Sequence, residues 1–554
     1  MAAPLYTTDS GQLWHAGKIL VATVGLPARG KTHLSHALER YLRWLGVKTR
    51  VFSLGDYRRK VLGRPGDLPS DYFSVGEKSA ETEALRLKIL EGFDETVMQF
   101  FDEEGGQVVI YDANNGQQKG RYALRERFGK KETTTGAKIS IMFLEPICND
   151  PAIIEANVRA VKISSPDYFG WDQEKAVQDF YKRIEDHEKE YETIENPSFP
   201  YIKLINVGQR IVVNNIQGYL QSRICFFLMN VHNRGRTIYL VRAGEALVEH
   251  LYKADADLSS LGWDYAEELT NFASALRRNA AESAIERAAG GDITPGGHVP
   301  GHGPGEEGRI LEVWTSPRKR AAHTCAFFAE RGYKVVERSQ LSELNPGVVD
   351  GMTAEEIKQR YPDEWEKKFQ EPYSHRFPRA ESYHDLSVRI EPVIFELERA
   401  TNDILIVAQS SVLRCLLAYL QGLKPHEIPY IEVHEGELIE CSPTAYGVKT
   451  TRHRFWDPEA KRSERDEIFF RQQRLGNTFY DDDEDDEDDD EDDDGSATRN
   501  AAAARKEDRD AITAAKEGHL EVGVDHAGVP IQQLINTFKS TKLNANACTQ
   551  GAPR

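Results

Sequence analysis

Two short stretches of this 554-residue chain combine residue types that handle phosphate. The first is Gly25-Leu26-Pro27-Ala28-Arg29-Gly30-Lys31-Thr32, which follows an apolar run at 19–24 and opens an amphipathic stretch at 32–44. In a strand-loop-helix setting this spacing makes a phosphate-binding loop. Glycines let backbone N–H groups point inward without a Cβ clash, Lys31 reaches the β- and γ-phosphates, and the Thr32 hydroxyl holds Mg2+. Asp112 ends the apolar run 108–111, where a second magnesium carboxylate belongs. The second stretch is Arg242-Ala243-Gly244-Glu245, at the end of the strand-like run 237–241. Here an arginine precedes a methyl side chain, which cannot accept a phosphoryl group.

These residues need elements to position them. Apolar runs at 19–24, 108–111 and 139–144 alternate with helix-like segments at 32–44 and 82–101, the pattern of a parallel α/β sheet. A leader over 1–17 and a first domain over 18–235 follow from this. A second α/β pattern begins at Thr237, passes through a helical 265–278 and a strand-turn-helix at 403–420, and defines a domain over 236–450. Residues 288–308, rich in Gly, Pro and His, predict a disordered surface insertion in which His298 and His302 are solvated rather than metal-bound. Beyond 450 a polar tail runs to 554, with an apolar-containing stretch at 520–538 that suggests a short docking element.

The length suits two domains with cores of their own. The net charge of −19 is concentrated in one place, because residues 481–494 are all Asp or Glu; without them the charge is −5. Like charges packed this densely stay extended. No dense Lys/Arg stripe with interleaved aromatics appears, so a broad nucleic-acid surface is not expected. Six cysteines (Cys148, Cys225, Cys325, Cys415, Cys441, Cys548) form neither a Cys-x-x-Cys pair nor a zinc spacing and predict reduced, buried thiols. The amino terminus lacks the basic start and apolar run of a signal peptide, and no stretch reaches the length of a membrane span, so the expectation is a cytoplasmic protein without a membrane role.

The segments Gly25–Thr32, Tyr111-Asp112-Ala113, Val161-Lys162-Ile163-Ser164-Ser165-Pro166-Asp167-Tyr168 and Gln221-Ser222-Arg223-Ile224 together resemble the 6-phosphofructo-2-kinase/fructose-2,6-bisphosphatase family, in order, over about 17–450. The resemblance implies an α/β protein: a P-loop NTPase-like kinase domain, then a histidine-phosphatase domain of the phosphoglycerate mutase-like kind, then a disordered acidic tail whose partner is unknown. It implies transfer of the γ-phosphoryl of ATP, with Mg2+, to the 2-hydroxyl of fructose 6-phosphate by a homodimer. By the same resemblance Gly25, Gly30, Lys31, Thr32 and Asn157 hold the nucleotide, and Thr32 and Asp112 hold the metal. Lys162 joins Lys31 and Asp112 at the transferred group, and Arg58, Arg59, Arg86 and Arg183 clamp the sugar phosphate. Arg forks suit phosphate, and phosphoryl transfer depends on positioning and charge neutralisation.

The chain departs from the family pattern in both halves. Asp112-Ala113-Asn114-Asn115-Gly116-Gln117-Gln118-Lys119-Gly120-Arg121 stands where the family has Asp-Ala-Thr-Asn-Thr-Thr and a basic run, so hydroxyls and arginine are lost from the expected sugar site, with Lys119 or Arg121 as candidate replacements. His187 replaces an expected tyrosine. In the second half Arg242, Arg320, Glu343 as the acid, and Tyr361 are kept. Ala243 stands at the nucleophile and Gln409 at the second histidine, while Glu249, Pro372 and Ser374 are further changes. The reading is a kinase joined to a phosphatase domain that has lost its chemistry. The rival is a non-catalytic regulator of glycolysis that binds nucleotide or sugar phosphate.

Overall fold

The segment Lys-Ile-Leu-Val-Ala-Thr forms a strand with five of six residues buried, as a strand covered on both faces requires. It is the centre of the first of two six-stranded sheets in the computed structural model. The structure describes residues 18–63, 68–69, 71–72, 76–131, 133, 136–151, 153–155, 157–158, 173–206, 208–232, 235–247, 255–289, 310–444 and 447–463. The expected leader, almost all of the 288–308 insertion, the acidic block and the 520–538 stretch therefore lie outside the described residues, as do Lys162 and Glu249.

The first domain runs β1 (Lys18–Thr23), α1 (Lys31–Trp44), β2 (Thr49–Ser53), α2 (Leu54–Leu62), α3 (Ala80–Asp102), β3 (Val108–Asp112), α4 (Gln118–Gly129), β4 (Ile139–Ile147), α5 (Gln173–Glu188), β5 (Tyr201–Ile205), β6 (Arg210–Asn214) and α6 (Tyr219–Leu228). Its sheet order is β2-β3-β1-β4-β5-β6. β1 pairs in parallel with β3 on one side and β4 on the other, and only β6 runs antiparallel to its neighbour. Chain connections from β1 and β3 leave the same edge of the sheet, which is where α/β folds bind ligands.

The second domain runs β7 (Ile238–Arg242), α7 (Ser260–Ala289), β8 (Leu311–Thr315), α8 (Lys319–Thr324), α9 (Ala326–Glu330), β9 (Lys334–Glu337), α10 (Ala354–Arg360), α11 (Pro362–Gln370), α12 (Tyr383–Arg399), β10 (Asp403–Ala408), α13 (Ser410–Gln421), β11 (Glu437–Thr444) and β12 (Gly447–Arg454). Its order is β12-β11-β7-β10-β8-β9, with β10 parallel to both β7 and β8. β12 carries the domain past residue 450, where the sequence places its end. Trp456 is buried edge-on to Tyr265, so the packed structure needs those extra residues.

One apolar cluster crosses from domain to domain. Leu34, Leu38, Tyr41 and Trp44 of α1 share it with Ile390, Ile394 and Leu397 of α12 and with Leu413, Leu416 and Leu420 of α13. The five described cysteines are free and buried. Among the described residues no helix is long and apolar enough to cross a membrane.

Candidate active site

The loop between β1 and α1 turns on two glycines. Gly25 has φ 135°, and a Cβ there would meet the Pro146 carbonyl oxygen at 3.2 Å; Gly30, with φ 86°, is the N-cap of α1. Both conformations favour a residue without a side chain. Lys31 Nζ folds across the loop and donates to the carbonyls of Gly25 (2.9 Å) and Leu26 (2.7 Å). Burial brings its ammonium down to about 8, against the opposing pull of the Asp112 charge. The Asn157 amide donates to the Ala28 carbonyl at 2.9 Å, so this residue braces the loop backbone.

Asp112 sits at the end of β3, 7 % exposed. Its carboxylate accepts from the Thr32 hydroxyl at 3.0 Å and from the Thr23 hydroxyl at 3.2 Å. Burial pushes its pKa up, while the Lys31 charge and those two hydroxyls hold it down. Thr32 and Asp112 thus present adjacent hard oxygens. Among the described residues no cluster of three or more His, Cys, Asp or Glu side chains suited to a metal forms. One carboxylate beside one hydroxyl fits Mg2+, which keeps waters and takes its remaining ligands from substrate phosphates. The glycine cradle likewise fits a nucleotide's phosphates.

The arginines expected at the sugar site are placed unequally. Arg58 is buried on α2, and the charges of Arg58 and Arg86 both act on the Tyr72 hydroxyl, itself raised first by burial. The Arg86 guanidinium lies 5.9 Å from the Tyr72 ring centre. Arg59 is instead ion-paired with Asp56 one turn earlier on its own helix. Arg183 pairs with Asp179 at 2.9 Å on α5, one turn before His187. Burial, then the Lys31 charge, lower the His187 pKa.

The altered segment after Asp112 has its own internal logic. Gly25 N donates to the Asn114 carbonyl (2.9 Å), and Asn115, at φ 42°, donates through its amide to the Thr23 carbonyl (2.9 Å). Arg121 is only 2 % exposed and donates to the carbonyls of Asn115 and Gly116 at 3.1 and 2.9 Å. It is a brace for this turn, which corrects its candidacy as a replacement sugar-site arginine, whereas Lys119 is exposed. Asn114 and His187, two of the departures from the family pattern, touch at 3.3 Å.

In the second domain, β7 ends at Arg242, and its guanidinium donates to the Val433 carbonyl at 3.4 Å. Ala243 is fully buried and its methyl belongs to an apolar cluster with Val241, Tyr265 and Leu269. Its N–H donates to the Ala408 carbonyl at 3.1 Å, which sets the end of β7 beside Gln409, the N-cap of α13. Arg320 Nε donates to the Gly244 carbonyl at 2.6 Å. Burial, then the Arg242 charge, lower its pKa, opposed by Glu435, Glu343 and Glu245. Burial pushes Glu343 up to about 7, with Arg320 and Arg318 opposing. Tyr361 packs edge-on to Phe377, 6.5 Å between ring centres, in a satellite apolar cluster. Ser374, after Pro372, donates to Glu371 at 3.0 Å.

Several contributors escape a motif search. Thr23 donates to Asp112 from the end of β1, and a polar residue closing an otherwise apolar strand is its signal. Arg389 holds the Glu343 turn by donating to the carbonyls of Gln340 (2.8 Å), Ser342 (3.0 Å) and Glu343 (3.1 Å). Glu435, and Arg462 paired with Glu245, reach the second site from segments with no motif. Thr324 accepts from Gly244 N at 3.0 Å.

The first site joins a glycine-cornered loop to Lys31, Thr32 and Asp112, and the second sets Arg242 and Arg320 at a strand end of another α/β sheet, so the class is a two-domain α/β protein whose first domain carries a phosphate-loop arrangement. Residues 6–235 match the family model described as 6-phosphofructo-2-kinase, and residues 306–455 match that of the histidine phosphatase superfamily, branch 1. The chain is 36% identical over 453 residues to 6-phosphofructo-2-kinase/fructose-2,6-bisphosphatase 1 of Rattus norvegicus, covering 81% of this chain and 86% of the relative. The Homo sapiens protein of that name is 36% identical over 78% of this chain and 83% of its own length. A Saccharomyces cerevisiae relative named fructose-2,6-bisphosphatase is 34% identical over 78% of this chain and 88% of its own length. The chain belongs to the 6-phosphofructo-2-kinase/fructose-2,6-bisphosphatase family.

Proposed function

We propose that this chain is a cytoplasmic, homodimeric 6-phosphofructo-2-kinase that moves the γ-phosphoryl of ATP to the 2-hydroxyl of fructose 6-phosphate and leaves the fructose 2,6-bisphosphate unhydrolysed. The observation that carries the reading is a contrast. Lys31, Thr32 and Asp112 converge around a glycine cradle, whereas the corresponding position of the second site is a methyl buried among apolar side chains.

In this mechanism the loop N–H groups and Lys31 bind and orient the triphosphate, and Thr32 and Asp112 hold the magnesium position. Held by Thr32 and Asp112, Mg2+ would supply charge neutralisation to the triphosphate. Lys31 exchanges its two carbonyl partners for phosphate oxygens, so its positive charge meets the charge that develops in transfer. Arg58 and Arg86 bind the sugar phosphate beside Tyr72, with Arg59 and Arg183 assigned to the same half of the site by family resemblance and Lys162 assigned by it to the transferred group. In the second domain Glu343 is poised to donate a proton, yet neither Ala243 nor Gln409 supplies an imidazole to attack phosphorus. Cys325, close in sequence to Arg320, is buried and raised to about 12, so its thiol stays protonated.

Purified protein with ATP, Mg2+ and fructose 6-phosphate tests the kinase. Absence of fructose 2,6-bisphosphate at saturating substrates sinks it. Labelled fructose 2,6-bisphosphate tests the second half, where a phosphoenzyme or released phosphate refutes the loss of hydrolysis. The Asn114–His187 contact and the structural use of Arg121 favour a second reading, a regulator that binds nucleotide without transferring phosphate to the sugar. Nucleotide binding without product distinguishes it.

A further inference from the structure

Helix α1 begins at the glycine-rich loop and ends packed against the second domain. Lys31 and Thr32 form its first turn, while Arg40, Tyr41 and Trp44 lie about 12–20 Å further along its axis at about 1.5 Å per residue. All three distal side chains are bound there. The Arg40 guanidinium pairs with Glu398 at 3.4 Å, the Tyr41 hydroxyl donates to Glu391 at 2.6 Å, and Trp44 Nε1 donates to the Cys415 carbonyl at 3.3 Å.

Glu391 and Glu398 both belong to α12, two turns apart on one face. Each has a further arginine partner, Arg236 at the start of the second domain for Glu398 and Arg223 of the first domain for Glu391. Glu398 also pairs with Arg236 at 2.9 Å and accepts from the Tyr419 hydroxyl at 2.5 Å; Glu391 also pairs with Arg223, whose Nε donates to the Tyr41 hydroxyl at 3.0 Å. Burial would raise Glu398, but Arg236 and Arg40 outweigh it and hold the carboxylate down at about 2. The Tyr41 ring stacks on Phe227 at 4.2 Å. The first turn is tied too, since His33 Nε2 lies 3.3 Å from the His232 carbonyl and the His232 ring contacts the Ala400 carbonyl at 2.9 Å.

A surface ion pair holds little, but a buried carboxylate with several directional partners fixes geometry. We infer that Glu391 and Glu398, supplied by the domain that has lost its own nucleophile, are positioning residues for the kinase: they clamp the far end of α1 and thereby set where Lys31 and Thr32 stand against Asp112. This rests on the kinase reading above and gives the second domain a task that needs neither a histidine nor hydrolysis.

The test uses the full-length chain carrying Glu391→Gln, Tyr41→Phe, or both. Tyr41→Phe removes a single oxygen and is the variant chosen to stay folded, as judged by circular dichroism. A shifted loop is expected to raise KM for ATP about tenfold while KM for fructose 6-phosphate stays within about twofold, because the sugar-site arginines stand on α2, α3 and α5 rather than on α1. The double variant is expected to be no worse than the worse single, since both remove one linkage. Loss of folded protein alone would lower kcat and leave both KM values unchanged. An unchanged KM for ATP in a folded variant overturns the inference, whatever happens to kcat. Should the wild-type chain make no fructose 2,6-bisphosphate, the kinase reading fails separately, and titration with a fluorescent methylanthraniloyl-ATP and Mg2+ decides this one. About tenfold weaker binding by Tyr41→Phe supports it; equal binding, or none by the wild type, overturns it.

Discussion

The two sites of this molecule are built alike and furnished differently. Each lies at the carboxyl end of a buried parallel strand, β1 or β7, beside a second strand end, β3 or β10, and a helix starts close by. At the first, the loop between strand and helix is filled by groups that bind charge: Lys31, Thr32, Asp112 and the glycine-lined turn. At the second the arginines and the acid persist, while the reacting position is the buried methyl of Ala243 and its neighbour is the amide of Gln409. The difference teaches that a fold and the residues of its site are specified with different redundancy. A fold is specified redundantly by dozens of buried apolar residues, so two side chains can change without disturbing it. Covalent catalysis has no such redundancy.

Removing Lys31 is the harshest way to break the comparison. In the Lys31→Ala variant the charge facing the β- and γ-phosphates is gone, and kcat/KM for fructose 2,6-bisphosphate synthesis is expected to fall at least ~10³-fold. A coupled assay with and without fructose 6-phosphate measures it. Retained synthesis would mean that the phosphoryl donor binds elsewhere and that the two sites are not opposites.

Glu343 sharpens the comparison from the other side. A buried carboxyl is a liability once it must ionise, and burial pushes that of Glu343 up to about 7, above the unfolded value of about 4.3. Because the folded value is the higher one, its contribution to stability is fully present below about 4.3 and is lost as pH rises through about 7. The Glu343→Gln variant is therefore expected to gain about 2–3 kcal/mol over the wild type at pH 8 and almost nothing at pH 4, with kinase activity unchanged. Urea melts at the two pH values measure it. A variant less stable than the wild type at pH 8 would show that the carboxylate is needed to balance Arg242 and Arg320.

How much of this was legible beforehand follows from the kind of signal each residue sends. The loop from Gly25 to Thr32 announces itself because its function requires glycines at fixed offsets, and the strands β1, β3 and β4 announce themselves as continuous apolar runs. Strand β2, half exposed and carrying arginine, and β12, which carries Lys449, Arg452, His453 and Arg454, send no such signal, because edge strands are not buried on both faces. Arg121 misleads for a related reason. A basic residue in a sugar-site segment looks the same in sequence whether it points at a ligand or, as here, braces two carbonyls. The Glu391 and Glu398 clamp is invisible for want of any local pattern, since its partners Tyr41, Arg40 and Arg236 are more than 150 positions away in sequence.

The smallest expected effect concerns the point where the first site itself is altered. Asn114 and His187 replace residues of the family pattern and contact each other at 3.3 Å, so each satisfies the other in place of a substrate hydroxyl. Burial and the nearby Lys31 charge lower the His187 pKa, which keeps the ring neutral and leaves it no charge to offer a phosphate. Restoring the expected phenol in His187→Tyr releases Asn114 and adds a donor, and KM for fructose 6-phosphate is expected to fall about fivefold, the worth of one neutral hydrogen bond. KM for ATP should stay within about twofold, because none of the loop's own hydrogen bonds passes through the ring. Initial-rate kinetics with each substrate varied in turn measure both. A rise in KM for the sugar would mean that the Asn114–His187 pair is itself part of the binding surface, and that the first site has been rebuilt where the second was only emptied.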